Sequence, residues 1–116
     1  YEYGQHSGLG WISGDVTEIK NNCLDIKIPH MGWNSLKKRR KGHHLLDNIQ
    51  NGDHVYFVHS YKFNLKHTKS LLAETNHGSP LTAIISHDNM AGTQFHPEKS
   101  QNVGMQFIYN FLTWKP

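Results

Sequence analysis

Apolar and polar residues alternate over most of the first hundred positions, with the period of two that is typical of β-strands. The clearest stretch, His54–His59, is rich in aromatic and β-branched residues and follows a turn sequence at residues 51–53. We expect it to form a central strand of a sheet.

The N-terminal part of the chain predicts a β-meander with one solvated face. Residues 9–12 and 16–20 flank a turn at residues 13–15, and residues 24–28 alternate apolar with charged side chains. The alternation is interrupted at residues 29–34, where we expect the strand pattern to end.

The middle of the chain predicts a loop followed by three strands. The basic run from Lys37 to Lys41 is expected to form an exposed loop. Residues 71–75 and 81–86 read as the two strands of a hairpin, and residues 90–95 as a further strand. That last strand leads directly to His96.

The sequence period changes to that of an amphipathic helix from Gln101 onward. Its apolar residues occupy two rows spaced by four positions: Val103, Phe107 and Phe111 in one row, Ile108 and Leu112 in the other. Ser100 is placed to cap the start of this helix. Many strands and one strong helix make an α+β pattern. If the chain is half of a larger domain, the other half should supply further strands and the helices that cover the sheet.

Length and composition narrow the class of protein. The 116 residues suffice for one domain with one core. The chain starts at Tyr1 without a signal peptide and has no apolar run of about 20 residues, so we interpret it as a piece of a larger protein without a membrane span. The single cysteine, Cys23, excludes an internal disulfide and suits the reducing cytoplasm. A net charge of +3 neither demands nor excludes an anionic partner.

The most chemically informative motif is His96-Pro97-Glu98. Proline fixes its own φ at about −65° and favours extended geometry in the preceding residue, so His96 and Glu98 should project from one side of an extended segment. A carboxylate on one imidazole nitrogen fixes the tautomer and leaves the other nitrogen free to move protons for a nucleophile. The motif therefore predicts two members of a catalytic triad.

Two other uses of the polar residues are less well supported. No helical i, i+4 pair and no cysteine cluster of zinc-site spacing accompanies the histidines, among them His43, His44, His54, His59, His67, His77 and His87. We therefore expect no metal site. The basic run from Lys37 to Lys41 is compatible with a nucleic-acid module, but it lacks interleaved aromatic residues, which favours a solvated loop.

Three stretches resemble class I glutamine amidotransferases in order and spacing: Pro29-His30-Met31-Gly32-Trp33-Asn34, Phe57-Val58-His59-Ser60-Tyr61 and Phe95-His96-Pro97-Glu98-Lys99-Ser100. More narrowly, they resemble the glutaminase subunits of imidazole glycerol phosphate synthases, enzymes of histidine biosynthesis. The likeness runs from Gly8 almost to the C-terminus. It implies an α/β, flavodoxin-like domain of which residues 1–116 form the C-terminal half, strand-rich with a β-meander and a C-terminal helix.

The resemblance also implies a chemistry that needs no cofactor. A cysteine on a strand-to-helix elbow attacks the side-chain amide of glutamine, releases ammonia and leaves a thioester for water to cleave. By this likeness His96 is the acid and base, and Glu98 orients it. The ammonia passes to a cyclase subunit with a (β/α)8 barrel, which Lys99 faces near the ammonia entrance. The other residues expected at that contact are His30, Met31, Gly32, Trp33, Asn34 and Tyr61.

The sequence departs from the family in one respect. The Gly-x-Cys-x-Gly elbow and the glycine-rich strand of the oxyanion hole belong before the position where this chain starts. Cys23 lies in a turn sequence without glycines and is not expected to replace that nucleophile, so residues 1–116 alone should not hydrolyse glutamine. Three origins of the missing half stay open: it was cut away, it is a separate chain, or it was never present in the gene. An inactive module that docks on a partner, or a subunit that feeds ammonia to a sugar-modifying synthase, are the alternatives that stay open.

Overall fold

The computed structural model describes residues 11–19 and 28–116. These residues form eight strands and one α-helix: β1 Gly14–Glu18, β2 His30–Ser35, β3 Lys37–Lys38, β4 His54–His59, β5 Tyr61–Leu65, β6 Leu71–Asn76, β7 Pro80–His87, β8 Met90–Thr93 and α1 Gln101–Thr113. Within the described residues, no helix is both long enough and apolar enough to cross a membrane.

The described strands pair in three antiparallel sheets. The largest has the order β3-β6-β7-β8, and the two smaller sheets are β2-β4 and β1-β5. The predicted mixed fold, rich in strands and ending in a helix, is confirmed. A β-meander is present, formed by the consecutive strands β6, β7 and β8, of which the first two are the predicted hairpin.

The N-terminal strand differs in its start and its partner from the sequence prediction. β1 begins at Gly14, inside the expected turn, and pairs with β5 so that Val16 lies opposite Phe63. A side chain on Gly14 would collide with the main-chain oxygen of Asn64, so this close pairing requires glycine. Trp11 and Ile12, expected in the first strand of the meander, are described and do not form a strand. Residues 9–10 and 20–27 of the predicted meander, together with Cys23, lie outside the described residues.

Two segments expected to interrupt the strands are themselves strands. Residues 30–35 form β2, which pairs along its whole length with β4. The pattern misled because β2 buries His30 and exposes Met31 and Trp33, so its polar and apolar positions are reversed. The basic run was also predicted wrongly in part: Lys37 and Lys38 form β3 against β6 rather than a loop.

Strand β4 is central to the core but not to a sheet. Val55 and Phe57 are fully buried, yet within the described residues β4 has only β2 as a strand neighbour. Its other edge is covered by the segment after β8: the His96 N–H donates to the Tyr56 oxygen at 3.0 Å, and the Tyr56 N–H donates to the Ser100 hydroxyl at 2.9 Å. The prediction that this segment is a central strand of a sheet is therefore wrong, because β4 belongs to a two-stranded sheet.

Helix α1 is where the sequence placed it, but its buried face is narrower than the apolar pattern predicts. Phe107 packs in the core, whereas Phe111 and Leu112 are 47% and 76% exposed. The buried Asn110 completes that face, and its amide donates to the main-chain oxygens of Leu45 at 3.0 Å and Asp47 at 2.8 Å. The core contains Leu36, Leu45, Leu46, Ile49, Val55, Phe57, Leu72, Ala73, Ala83, Ile84, Phe95 and Phe107.

Candidate catalytic site

His96 is held by main-chain bonds to two different strands. After β8 ends, the Gln94 N–H donates to the Ala83 oxygen on β7 at 2.8 Å. The buried Phe95 then anchors the chain in the core, with its ring 6.0 Å from that of Phe57 in an edge-to-face contact. The next residue, His96, bonds to β4 as described above, so its backbone has little freedom.

The residues after His96 fold back on it. Pro97–Lys99 form a 3₁₀ turn, in which the Lys99 N–H donates to the His96 oxygen at 3.1 Å. The Ser100 hydroxyl donates to the same oxygen at 2.7 Å. Ser100 lies at the N-cap position of α1 as predicted, but its side chain makes no capping bond and instead joins His96 to β4. The sequence interpretation missed this role.

Gly104 allows the helix to pack directly on this turn. A Cβ at this position would collide with the Pro97 main-chain oxygen and lie 2.8 Å from the Pro97 carbonyl carbon and 3.0 Å from Ser100 Cβ. The sequence contains a signal for this contact, namely a glycine inside a helical pattern. Such a glycine costs about 1 kcal/mol relative to alanine, so its presence indicates that close packing requires it.

The imidazole and the carboxylate of the predicted pair are in contact. His96 Nδ1 lies 2.9 Å from Glu98 Oε1, and both side chains are partly open to solvent. The two groups lie on one side of the chain as predicted, but a 3₁₀ turn rather than an extended segment brings them together. Because an ionised carboxylate only accepts, Nδ1 carries the proton and Nε2 of the neutral ring is left as an acceptor.

Glu98 is kept in its charged form. The pKa of its carboxyl lies below the usual range, chiefly because its own main-chain N–H donates to it and secondly because His96 donates to it. An ionised carboxylate at this position stabilises the imidazolium that forms whenever His96 takes up a proton.

A second cluster of imidazoles lies under β2. His30 is only 3% exposed and stacks between Phe57, at 4.6 Å between ring centroids, and His77, at 4.2 Å. Its Nδ1 lies 2.9 Å from Nε2 of His59, its cross-strand partner on β4. His30 is thus a core residue of the β2-β4 pair.

The tautomers of this cluster follow from one carbonyl group. His59 Nδ1 lies 2.8 Å from the Tyr61 oxygen, which only accepts, so His59 Nε2 must accept from His30 Nδ1. His30 Nε2 in turn accepts from the Asn34 amide at 3.1 Å. The pKa of His30 is lowered to about 4 by burial, then by His77 and His59, and burial also lowers the pKa of His59. Both rings are neutral at pH 7.

The residues expected at a partner contact fall into two groups. Met31 and Trp33 are exposed on β2, whereas His30 and Asn34 belong to the inner hydrogen-bond network. The Trp33 ring meets the Tyr56 ring edge-to-face at 5.9 Å, and the Lys99 ammonium lies 6.0 Å from the centre of the same Tyr56 ring. Gly32 lies between Met31 and Trp33, and Tyr61 opens β5. Trp33, Tyr56 and Lys99 thus form one surface beside His96, and its use as an interface stays a prediction.

No group of three or more His, Cys, Asp or Glu side chains in the described ranges is arranged to hold a metal ion. The chemistry that the His96 turn itself offers is that of an imidazole in contact with a carboxylate. A nucleophile and an oxyanion site would have to come from other residues.

Comparisons with known proteins agree with the sequence resemblance. The family model of class I glutamine amidotransferases matches residues 7–114. Imidazole glycerol phosphate synthase subunit HisH from Rhodospirillum rubrum is 54% identical over 115 residues, 99% of this chain and 54% of the relative. The subunit from Ruegeria pomeroyi is 49% identical, covering 100% and 54%, and that from Azospirillum brasilense 46% identical, covering 98% and 59%. The chain spans about half the length of these curated relatives.

Proposed function

Because this chain belongs to the class I glutamine amidotransferase family, we propose that it contributes the acid/base half of a glutaminase subunit of imidazole glycerol phosphate synthase. The observation that carries the proposal is the contact of 2.9 Å between His96 Nδ1 and Glu98 Oε1, on a turn fixed to two strands. The curated relatives that match nearly the whole chain are named as subunits of that synthase, which favours the histidine pathway over a sugar-modifying synthase.

The proposed reaction uses a cysteine from outside residues 1–116. His96 Nε2 takes the thiol proton, and the thiolate attacks the carbonyl carbon of the glutamine side-chain amide. The imidazolium gives its proton to the nitrogen as the carbon–nitrogen bond breaks, which releases ammonia and leaves a glutamyl thioester. His96 then takes a proton from water, the resulting hydroxide cleaves the thioester, and glutamate leaves as the thiol is restored.

Glu98 acts through the imidazole and not on the substrate. It holds the Nδ1–H tautomer, so that Nε2 faces the thiol, and its negative charge stabilises the imidazolium between the two proton transfers. The lowered pKa of its carboxyl agrees with this role because one of its causes is the hydrogen bond that His96 donates to the charged form.

The ammonia must reach its acceptor before it is protonated, since ammonium is not a nucleophile. We therefore include in the proposal a tightly matched cyclase subunit with a (β/α)8 barrel, docked on the surface of Trp33, Tyr56 and Lys99 beside His96. Exposed Met31 extends that surface with a further apolar side chain.

The remaining half of the domain is also part of the proposal. Residues 1–116 cover 54% of the first two relatives, and we assign the elbow with the nucleophilic cysteine to the rest. In the described part, the last strand, β8, leads to the His96 turn, which carries the histidine–carboxylate pair. No thiol of the described residues lies beside this pair, which is consistent with a nucleophile on the rest of the domain.

Glutamate release by the full chain, with the segment that carries the elbow, tests the proposal. His96→Ala is expected to lower kcat for glutamine hydrolysis by about a thousandfold, in line with removal of a positioned general base. The matched control is His67→Ala, which removes an exposed histidine far along the chain from this turn. Hydrolysis that continues undiminished in His96→Ala would show that the activity does not use this residue.

A further inference from the structure

The structure has a cavity of about 330 Å³ that shares no residue with the His96 turn. It lies between the end of β7, two short 3₁₀ turns at His44–Leu46 and Thr68–Ser70, and the residues that follow α1. The lining side chains that matter are Arg40, His43, Lys69, Ser70, Ser86 and Trp114. None of them has a part in the proposed glutaminase reaction.

Two cationic side chains line this cavity. Arg40 and Lys69 come from different segments, and neither takes part in an ion pair within the described part of the chain. The neighbouring Arg39, in contrast, lies 3.4 Å from the carboxylate of Glu74. The one acidic lining residue, Asp88, is 3.5 Å from its neighbour His87. Within the described residues the lining thus has two cationic side chains outside any ion pair, against the single carboxylate of Asp88.

The inner wall of the cavity supplies neutral hydrogen-bond donors. Ser70 and Ser86 are both buried residues that line it. The Leu45 N–H donates to His43 Nδ1 at 3.1 Å, so in the neutral ring the proton sits on Nε2. That nitrogen lies 3.5 Å from the Ser86 hydroxyl, a distance long enough for both groups to turn to a closer partner.

The charge of Arg40 acts on this inner wall. The pKa of His43 is lowered, first by burial and next by the charge of Arg40. Trp114 adds an aromatic surface beside His43, because its ring lies 5.8 Å from the His43 ring and also lines the cavity. A ligand in this space would meet cations, hydroxyls and apolar ring surface.

We propose that this cavity binds the phosphate group of a small phosphorylated metabolite. Arg40 and Lys69 neutralise a group that carries close to two negative charges, while the serine hydroxyls and His43 Nε2–H donate to its oxygens. A carboxylate, with one charge and two oxygens, would leave some of these donors unused. The volume is at the small end of the range of about 300–1,000 Å³ for ligand sites, which fits a metabolite.

The proposal is tested by titrating the full chain with inorganic phosphate and with glycerol 3-phosphate at constant ionic strength, using nuclear magnetic resonance. Saturable shifts of the Trp114 indole signal are expected, with glycerol alone giving none. Arg40→Ala and Lys69→Ala should each raise Kd by at least about tenfold, because each removes a charge-assisted hydrogen bond. The side chains of Arg40 and Lys69 are exposed, so these two variants should fold. Ser70→Ala is a third variant, which removes a hydroxyl donor of the cavity without changing the charge.

The matched control is Lys41→Ala, which removes the same charge from the same basic run but does not line the cavity. An equal loss of affinity in Lys41→Ala, or unchanged Kd in Arg40→Ala and Lys69→Ala, would overturn the proposal. So would tighter binding of a short RNA or DNA strand with steep salt dependence, which is the mark of a nucleic-acid surface. His96→Ala should leave Kd unchanged, so this test is independent of the proposed glutaminase activity.

Discussion

The side-chain hydroxyl of Ser100 donates a hydrogen bond of 2.7 Å to the main-chain oxygen of His96. The same hydroxyl accepts the Tyr56 N–H, and the Tyr56 oxygen accepts the His96 N–H. Four main-chain groups and one buried hydroxyl, joined by three hydrogen bonds, thus fix the backbone position of His96. Ser100 is a positioning residue in this account, because it acts on the proposed reaction only through His96.

Replacing Ser100 with alanine removes both bonds and leaves the Tyr56 N–H without a partner. We expect a loss of about 1–3 kcal/mol in the free energy of unfolding, measured by urea denaturation. At a temperature where the variant is folded, kcat for glutamine hydrolysis should fall by at least about tenfold while KM stays constant, since the substrate does not touch Ser100. Ser79→Ala, at an exposed hairpin position, is the control. A fall in stability with kcat intact would make Ser100 merely structural.

Gly104→Ala should destabilise the protein although alanine is the better helix former. The new methyl group meets the Pro97 main chain, which cannot move without shifting the His96 turn, and we expect a net loss of about 2 kcal/mol. Met105→Ala, at the neighbouring exposed helix position, should change the free energy of unfolding by less than about 0.5 kcal/mol. Thermal unfolding of both variants decides the matter, and a more stable Gly104→Ala would show that the helix does not press on the turn.

The buried imidazoles predict a loss of stability in mild acid. The pKa of His30 is about 4 in the folded chain against 6.5 in the unfolded one, so stability is complete above pH 6.5 and falls as the pH drops towards 4. At pH 5 His30 alone should cost about 2 kcal/mol. The comparison is the free energy of unfolding at pH 7.5 and pH 5 in the natural chain and in His30→Asn, whose dependence on pH should be weaker. Equal slopes in both chains would contradict the neutral network.

The exposed rings on β2 predict an effect on assembly rather than on folding. Trp33→Ala should weaken binding of the proposed cyclase subunit by about 2 kcal/mol, since a large aromatic side chain at the centre of an interface contributes on that scale. Its effect on unfolding should be small because the ring is half exposed. Calorimetric titration measures the Kd of the natural chain and that of Trp33→Ala, with Lys66→Ala as a surface control. Unchanged affinity in Trp33→Ala would place the partner elsewhere.

The local features of the chain were predictable because they depend on neighbours in sequence. Strand β4, the β6–β7 hairpin and helix α1 follow from period and turn residues. The contact between His96 and Glu98 follows from a motif of three residues, even though the turn type differs from the extended geometry expected. The sequence could not fix the role of Ser100, because its partner Tyr56 is 44 positions away.

The missed elements share a physical cause. β2 was hidden because its inward residue is a histidine and its outward residues are apolar, so binary patterning assigned its faces wrongly. The imidazole at position 30 is accommodated by His59 and Asn34, contacts that exist only once β2 pairs with β4. The charges of Lys37 and Lys38 favour an exposed loop, whereas their pairing with β6, which the sequence pattern does not reveal, makes them a strand.

The central claim is that His96 and Glu98 act as one unit, and a double-mutant cycle on glutamate release by the full chain tests it most directly. Glu98→Gln should lower kcat at least tenfold, His96→Ala should lower it further, and the double variant should match His96→Ala alone, since Glu98 has no role without the imidazole. A double variant slower than His96→Ala by the full factor of Glu98→Gln would mean that the two residues act independently, and would contradict the account.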